Sequence, residues 1–75
     1  MLLTGKRFRL RERTLAIEVV GGERIAIILQ VGAIIRVLSG NNQNVDVLWD
    51  GRKVEVFTCD VNMRGTEIIE QCALV

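Results

Sequence analysis

The chain reads as a small all-β domain. β-branched residues are dense, proline is absent, and apolar positions recur with period two. Turn chemistry cuts that pattern into short lengths: Gly-Gly at 21–22, "SGNNQN" at 39–44 and Asp-Gly at 50–51. No window sustains a helical period. These observations predict strands near residues 5–11, 14–20, 24–30, 33–39, 44–49, 52–58 and 66–70. They form one domain over residues 1–70, followed by a C-terminal tail at 71–75.

In the first strand, "KRFRLRER", Phe8 and Leu10 take the core side. Arg7, Arg9, Arg11 and Arg13 share the other. The second and third strands flank Gly-Gly. A two-residue loop there sets Glu18 opposite Ile25 and mixes the faces. A three-residue loop, Gly21-Gly22-Glu23, pairs Val19 with Ile25, Ile17 with Ile27 and Leu15 with Leu29, giving one fully apolar face. Because a one-residue slip turns every side chain over, the pattern selects the three-residue loop with a glycine in the left-handed region.

The fifth and sixth strands, "VDVLWDGRKVEVF", are the clearest unit. Asp-Gly favours a two-residue type I′ turn, which pairs Trp49 with Arg52, Val47 with Val54 and Val45 with Val56. Val45, Val47, Trp49, Val54 and Val56 then face the core, and Asp46, Leu48, Lys53, Glu55 and Phe57 face away. Asp46 opposes Glu55, an unfavourable pair unless a cation bridges it, and Arg36 on the preceding strand is the candidate.

From residue 31 onward the order of elements resembles that of SH3-like small barrels, the superfold of SH3, Tudor and KOW-type domains. "VGAIIRVLS" precedes a polar loop, then the Asp-Gly hairpin, then the short "CDVNMRG" and a closing "TEII". The resemblance covers about residues 31–70. It implies a small barrel of five to seven short antiparallel strands, with a 3₁₀ turn near residues 60–64. It implies no ligand. The three aromatic residues are Phe8, Trp49 and Phe57, too few for a proline-peptide groove or a methyl-cation cage, and the glycine-spaced KOW pattern is missing. The superfold hosts many functions.

Composition argues against catalysis. There is no histidine, the commonest general base and a frequent metal ligand, and no acid pair or glycine spacing marks a catalytic dyad or phosphate loop. We expect no enzyme activity, cofactor, metal or small-molecule substrate. Cys59 reads as a small buried hydrophobe, and two cysteines are too few for a disulfide framework. No signal peptide is visible, and the longest apolar stretch, "IAIILQVGAII", is too short to span a bilayer, so a soluble cytoplasmic protein is expected. The final "CALV" formally matches a prenylation box, but its last residue is atypical and no polybasic stretch precedes it, so it reads as tail.

Two candidate surfaces remain. The net charge of +1 hides an asymmetry: residues 1–13 hold five basic side chains and one acid, while 14–75 hold five and eight. Lys6, Arg7, Arg9, Arg11 and Arg13 therefore form a basic leading edge. It is either a solvated strand face compensated by acids such as Glu18, Glu23, Glu67 or Glu70, or a track for RNA or DNA phosphates, or a site for an acidic protein. The second surface is apolar. Twenty-six residues are Ile, Leu or Val, more than one small core absorbs. Ala16, Ala26, Ile28, Ile34, Leu38, Leu48 and Phe57 fall opposite the inferred core. Ile28, Ile34, Leu38, Leu48 and Phe57 are the candidate interface of a homo-oligomer. The first functional expectation is a self-assembling or protein-interaction module, and the second is a nucleic-acid-binding module using the arginine stripe.

Overall fold

The computed structural model describes residues 3–69. The expected tail at 71–75, Glu70, Cys72 and any pairing of Cys72 with Cys59 lie outside the described residues. Seven strands and one helix follow in order: β1 (Arg7–Leu10), β2 (Thr14–Val20), β3 (Glu23–Leu29), β4 (Ile34–Gly40), β5 (Asn44–Trp49), β6 (Arg52–Phe57), α1 (Thr58–Arg64) and β7 (Gly65–Ile68). The fold is all-β apart from α1. Every ladder is antiparallel, in the order β3-β2-β6-β5-β4-β1-β7. The sheet is open, with β3 and β7 as its edges.

The Asp-Gly hairpin forms in the expected register, from Trp49–Arg52 to Val45–Val56. Asp50 and Gly51 have φ of 50° and 74°, as a type I′ turn requires. Val45, Val47, Val54 and Val56 are buried, together with Phe8, Leu10, Ile35 and Val37 from β1 and β4. Trp49 is half-buried against this core, with the Arg52 guanidinium 4.6 Å from its ring centre. Arg52 also meets Glu18 at 3.4 Å.

The Gly-Gly hairpin differs from expectation. Its loop has two residues, with Val20 opposite Glu23, Val19 opposite Arg24, Ile17 opposite Ala26 and Leu15 opposite Ile28. Gly21 and Gly22 both have positive φ, 59° and 83°, and this tight turn matches the twist of the strands. The expected apolar face is therefore split: Leu15, Ile17 and Val19 point outward with Arg24, Ala26 and Ile28, while Ile25, Ile27 and Leu29 lie on the other side with Glu18, Ala16 and Thr14. Ala16 and Thr14, not Leu15 and Ile17, are buried with Leu29. Ala16 sits opposite Val56, where β2 crosses onto β6. The buried Thr14 hydroxyl donates to the Glu12 carbonyl at 3.0 Å, so no polar group is stranded.

The helix also differs in detail. It is a seven-residue α-helix, two residues longer than the expected 3₁₀ turn. It begins at Thr58 and turns Thr58 and Val61 inward, three residues apart. Cys59 is consequently exposed rather than buried. The polar loop is stitched to the helix start: Thr58 donates its amide to Gln43 at 2.9 Å and its hydroxyl to Asn41 at 2.8 Å.

Gly40 ends β4 at a φ of 151°, and a Cβ there would collide with the Asn44 carbonyl and with Val45 Cα at 2.6 Å. Gly21 has open space around it. Gly40→Ala should therefore cost about 3 kcal/mol, against about 1–2 kcal/mol for Gly21→Ala from its positive φ alone. Urea unfolding followed by Trp49 fluorescence measures both. Equal costs would show that the β4–β5 approach yields without strain.

Candidate interaction surfaces

Paired residues on neighbouring strands share a face, so the ladders map the outer side of the sheet. One row runs from Ile68 through Arg7, Arg36 and Leu48 to Lys53, across β7, β1, β4, β5 and β6. Beside it lie Thr66, Arg9 and Ile34. Neighbouring strands are about 4.8 Å apart. The cations Arg7, Arg36 and Lys53 therefore line up across the sheet, with Arg9 one step along β1.

The arginine stripe is only half what its spacing predicts. β1 stops at Leu10, so Arg7 and Arg9 stand on the strand while Arg11 and Arg13 lie in the turn before β2. That turn is clamped to the end of α1. The Arg11 amide donates to the Arg64 carbonyl at 2.7 Å, and its guanidinium to the Met63 carbonyl. Arg64 in turn donates to the Arg13 carbonyl at 2.6 Å and sits 3.6 Å from Asp60. Arg11 thus serves as a tether. Lys6 lies 3.6 Å from Glu67, one of the acids expected to compensate the stripe. Arg36, absent from the expected stripe, joins it because β4 pairs with β1. A shallow groove of about 290 Å³ marks this end of the row, lined by Lys6, Arg7, Arg36, Glu67 and Ile68.

Arg24, rather than Arg36, neutralises the Asp46–Glu55 opposition. Its guanidinium donates to Glu55 Oε1 at 2.8 Å. The reason is register. A bulge between Val37 and Ser39 sets Ser39 opposite Asp46 and leaves Arg36 opposite Leu48, while the short Gly-Gly turn carries Arg24 to the outer face of β3.

The five candidate apolar residues are all exposed, between 39 % for Leu38 and Leu48 and 48 % for Ile28. They fall into two groups. Ile34, Leu38 and Leu48 surround Arg36. Ile28 lies opposite Leu15, and Leu15 and Phe57 line one small groove. Ala26 is exposed as expected, whereas Ala16 belongs to the core. On the β2–β3 hairpin Val19 extends the second group along the outer face, while Val20 and Ile25 are exposed on the opposite face.

Among the described residues, no group of three or more Cys, Asp or Glu side chains is placed to hold a metal, and no helix is long and apolar enough to cross a membrane. Two wider grooves, about 460 and 390 Å³, are open and lined by mixed charges. No family model, curated protein or solved structure matches this chain.

The Arg24–Glu55 pair is well formed but largely solvated. A double-mutant cycle with Arg24→Ala and Glu55→Ala should give a coupling of about 0.5 kcal/mol that shrinks with salt. The same cycle with Arg36→Ala should give almost none. A larger Arg36 coupling would reverse the assignment.

Proposed function

We propose that this chain is a non-enzymatic, SH3-like small β domain that works by self-assembly, in a reducing cytoplasmic setting. One observation carries the reading: the outer face and the β2–β3 hairpin expose a run of large aliphatic and aromatic side chains, Leu15, Val19, Ile28 and Phe57 among them. Contiguous exposure of this kind favours burial against another surface. Small domains gain by oligomerising what their own cores lack. The SH3-like part is supported by the consecutive β4-β5-β6 meander, the single short helix after it and the closing strand β7. The exposed free thiol of Cys59 suits a reducing compartment.

A second reading, nucleic-acid binding, is favoured by the row of Arg7, Arg36 and Lys53 with Arg9 beside it. Phosphates of an extended strand lie within reach of cations spaced this way, and arginine forks suit them.

Light scattering at micromolar concentration tests the first reading. The expected mass is two or more times 8.4 kDa. A monomer throughout sinks self-assembly. For the second, random-sequence RNA titrated at about 50 and 200 mM salt should bind with steeply falling affinity. Arg36→Glu should weaken that binding while Arg13→Glu, in the clamped turn, leaves it. Binding indifferent to Arg36→Glu excludes the row.

A further inference from the structure

We infer that two copies of this chain join edge to edge through β3, antiparallel, about a two-fold axis at Ala26. The inference rests on the self-assembly reading and names its surface.

β3 is the last strand of the sheet, with no neighbour beyond it among the described residues. The two-residue turn makes Val20–Glu23 a hydrogen-bonded pair, and alternation makes Glu18–Ile25, Ala16–Ile27 and Thr14–Leu29 hydrogen-bonded too. Arg24, Ala26 and Ile28 therefore aim their N–H and C=O groups away from β2, along the open edge. Exposed edges are usually guarded by proline, bulges, charges or shortness. β3 has seven residues, no proline and no bulge, and its two charges, Glu23 and Arg24, sit together at one end. The opposite edge, β7, is guarded: it has four residues, with Glu67 among them.

The sequence of β3 says why the occupant is a second copy. Antiparallel pairing centred on Ala26 aligns the whole strand with itself. Arg24 falls opposite Ile28 of the second copy, Ile25 opposite Ile27, and Glu23 opposite Leu29. Every pair then shares a face. The three edge-facing residues of each copy meet those of the other, for about six backbone hydrogen bonds. No like charges oppose each other. A register centred on Arg24 sets guanidinium against guanidinium and pairs fewer residues. Ile25, exposed in the single chain, gains Ile27 of the second copy as its neighbour. Leu15 and Val19 extend the apolar surface behind the seam.

Cysteine cross-linking tests the register directly, in chains carrying Cys59→Ser and Cys72→Ser. Hydrogen-bonded opposite residues stand about 5.5 Å apart at Cα, within the disulfide range of roughly 4.4–6.8 Å. Ala26→Cys should therefore cross-link to a dimer under mild oxidation. Arg24→Cys should do so only when mixed with Ile28→Cys. Each should outpace Arg24→Cys alone by at least about tenfold, because the thiols are held together rather than colliding. Circular dichroism of each variant checks that the sheet is intact, which is expected because all three positions are exposed. If the unmodified protein is oligomeric by light scattering and Ala26→Cys links no faster than Arg24→Cys, the β3 seam is wrong while self-assembly stands. If the unmodified protein is monomeric, both fall.

Discussion

The register of the β5–β6 hairpin holds the rest of the sheet in place. These two strands lie at the centre of the strand order, with β4 hooked to β5 and β2 to β6. Their pairing sends four valines inward. Burying each is worth about 1.5 kcal/mol or more. The same register sets Asp46 against Glu55, a repulsion of a few tenths of a kcal/mol to about 1 kcal/mol. The valines win by several-fold, so the charge conflict is accepted and a cation is brought to it. A slip of one residue would relieve the acids and expose every valine.

The inner side of the sheet fixes how much apolar surface is left over. α1 contributes only Val61 and Thr58 to the core, and the remaining inward positions belong to the strands themselves. The chain carries far more aliphatic residues than this core takes in. Many go to the outer face, in two groups divided by the charged residues Asp46, Glu55 and Arg24, and Val20 and Ile25 lie exposed on the other side of the β2–β3 hairpin. The cationic row crosses the apolar group around Arg36, so the two candidate surfaces are interleaved. Assembly and phosphate contact would compete for Leu48 and its neighbours, but not for β3, which lies at the far edge of the sheet.

Much of this architecture is written in the sequence. Strand positions follow from the period-two pattern and its glycine and asparagine breaks, and the Asp-Gly register follows from the positive φ that both turn residues need. The Gly-Gly hairpin is less legible because both faces of "TLAIEVV" and "ERIAIIL" are largely apolar. Continuity of the apolar face then selects the wrong register, and the turn dipeptide carries the better signal. The inward face uses Thr14 and Ala16 because β2 crosses closely onto β6, and small side chains fit there. That crossing is non-local and leaves no mark in a linear pattern. Arg24 and Arg36 found their places for the same reason: one depends on the turn length, the other on the pairing of β1 with β4. Cys59 faces solvent because a seven-residue helix is too short to announce its period.

The β2–β3 hairpin links the fold to the proposed seam. Its base is anchored: Thr14, Ala16 and Leu29 are buried, and only Ala16 and Ile17 pair with β6. Beyond Ile17 the two strands leave β6, and a groove of about 390 Å³ opens between them. Past that point Val19, Val20 and Ile25 are exposed, with Val19 at 61 %. That half is held by its own ladder, by the Gly-Gly turn and by the Arg24–Glu55 and Arg52–Glu18 pairs. A two-stranded ribbon is marginal in water without a third strand. A second copy of β3 supplies one, and it adds its hydrogen bonds where the chain's own sheet has run out. The weakest part of the fold and the most adhesive edge are therefore the same segment. Ordering of the hairpin tip and association are coupled, so protection of the Val19 to Ile25 amides should rise with protein concentration, whereas protection of the β5–β6 amides stays fixed by the core.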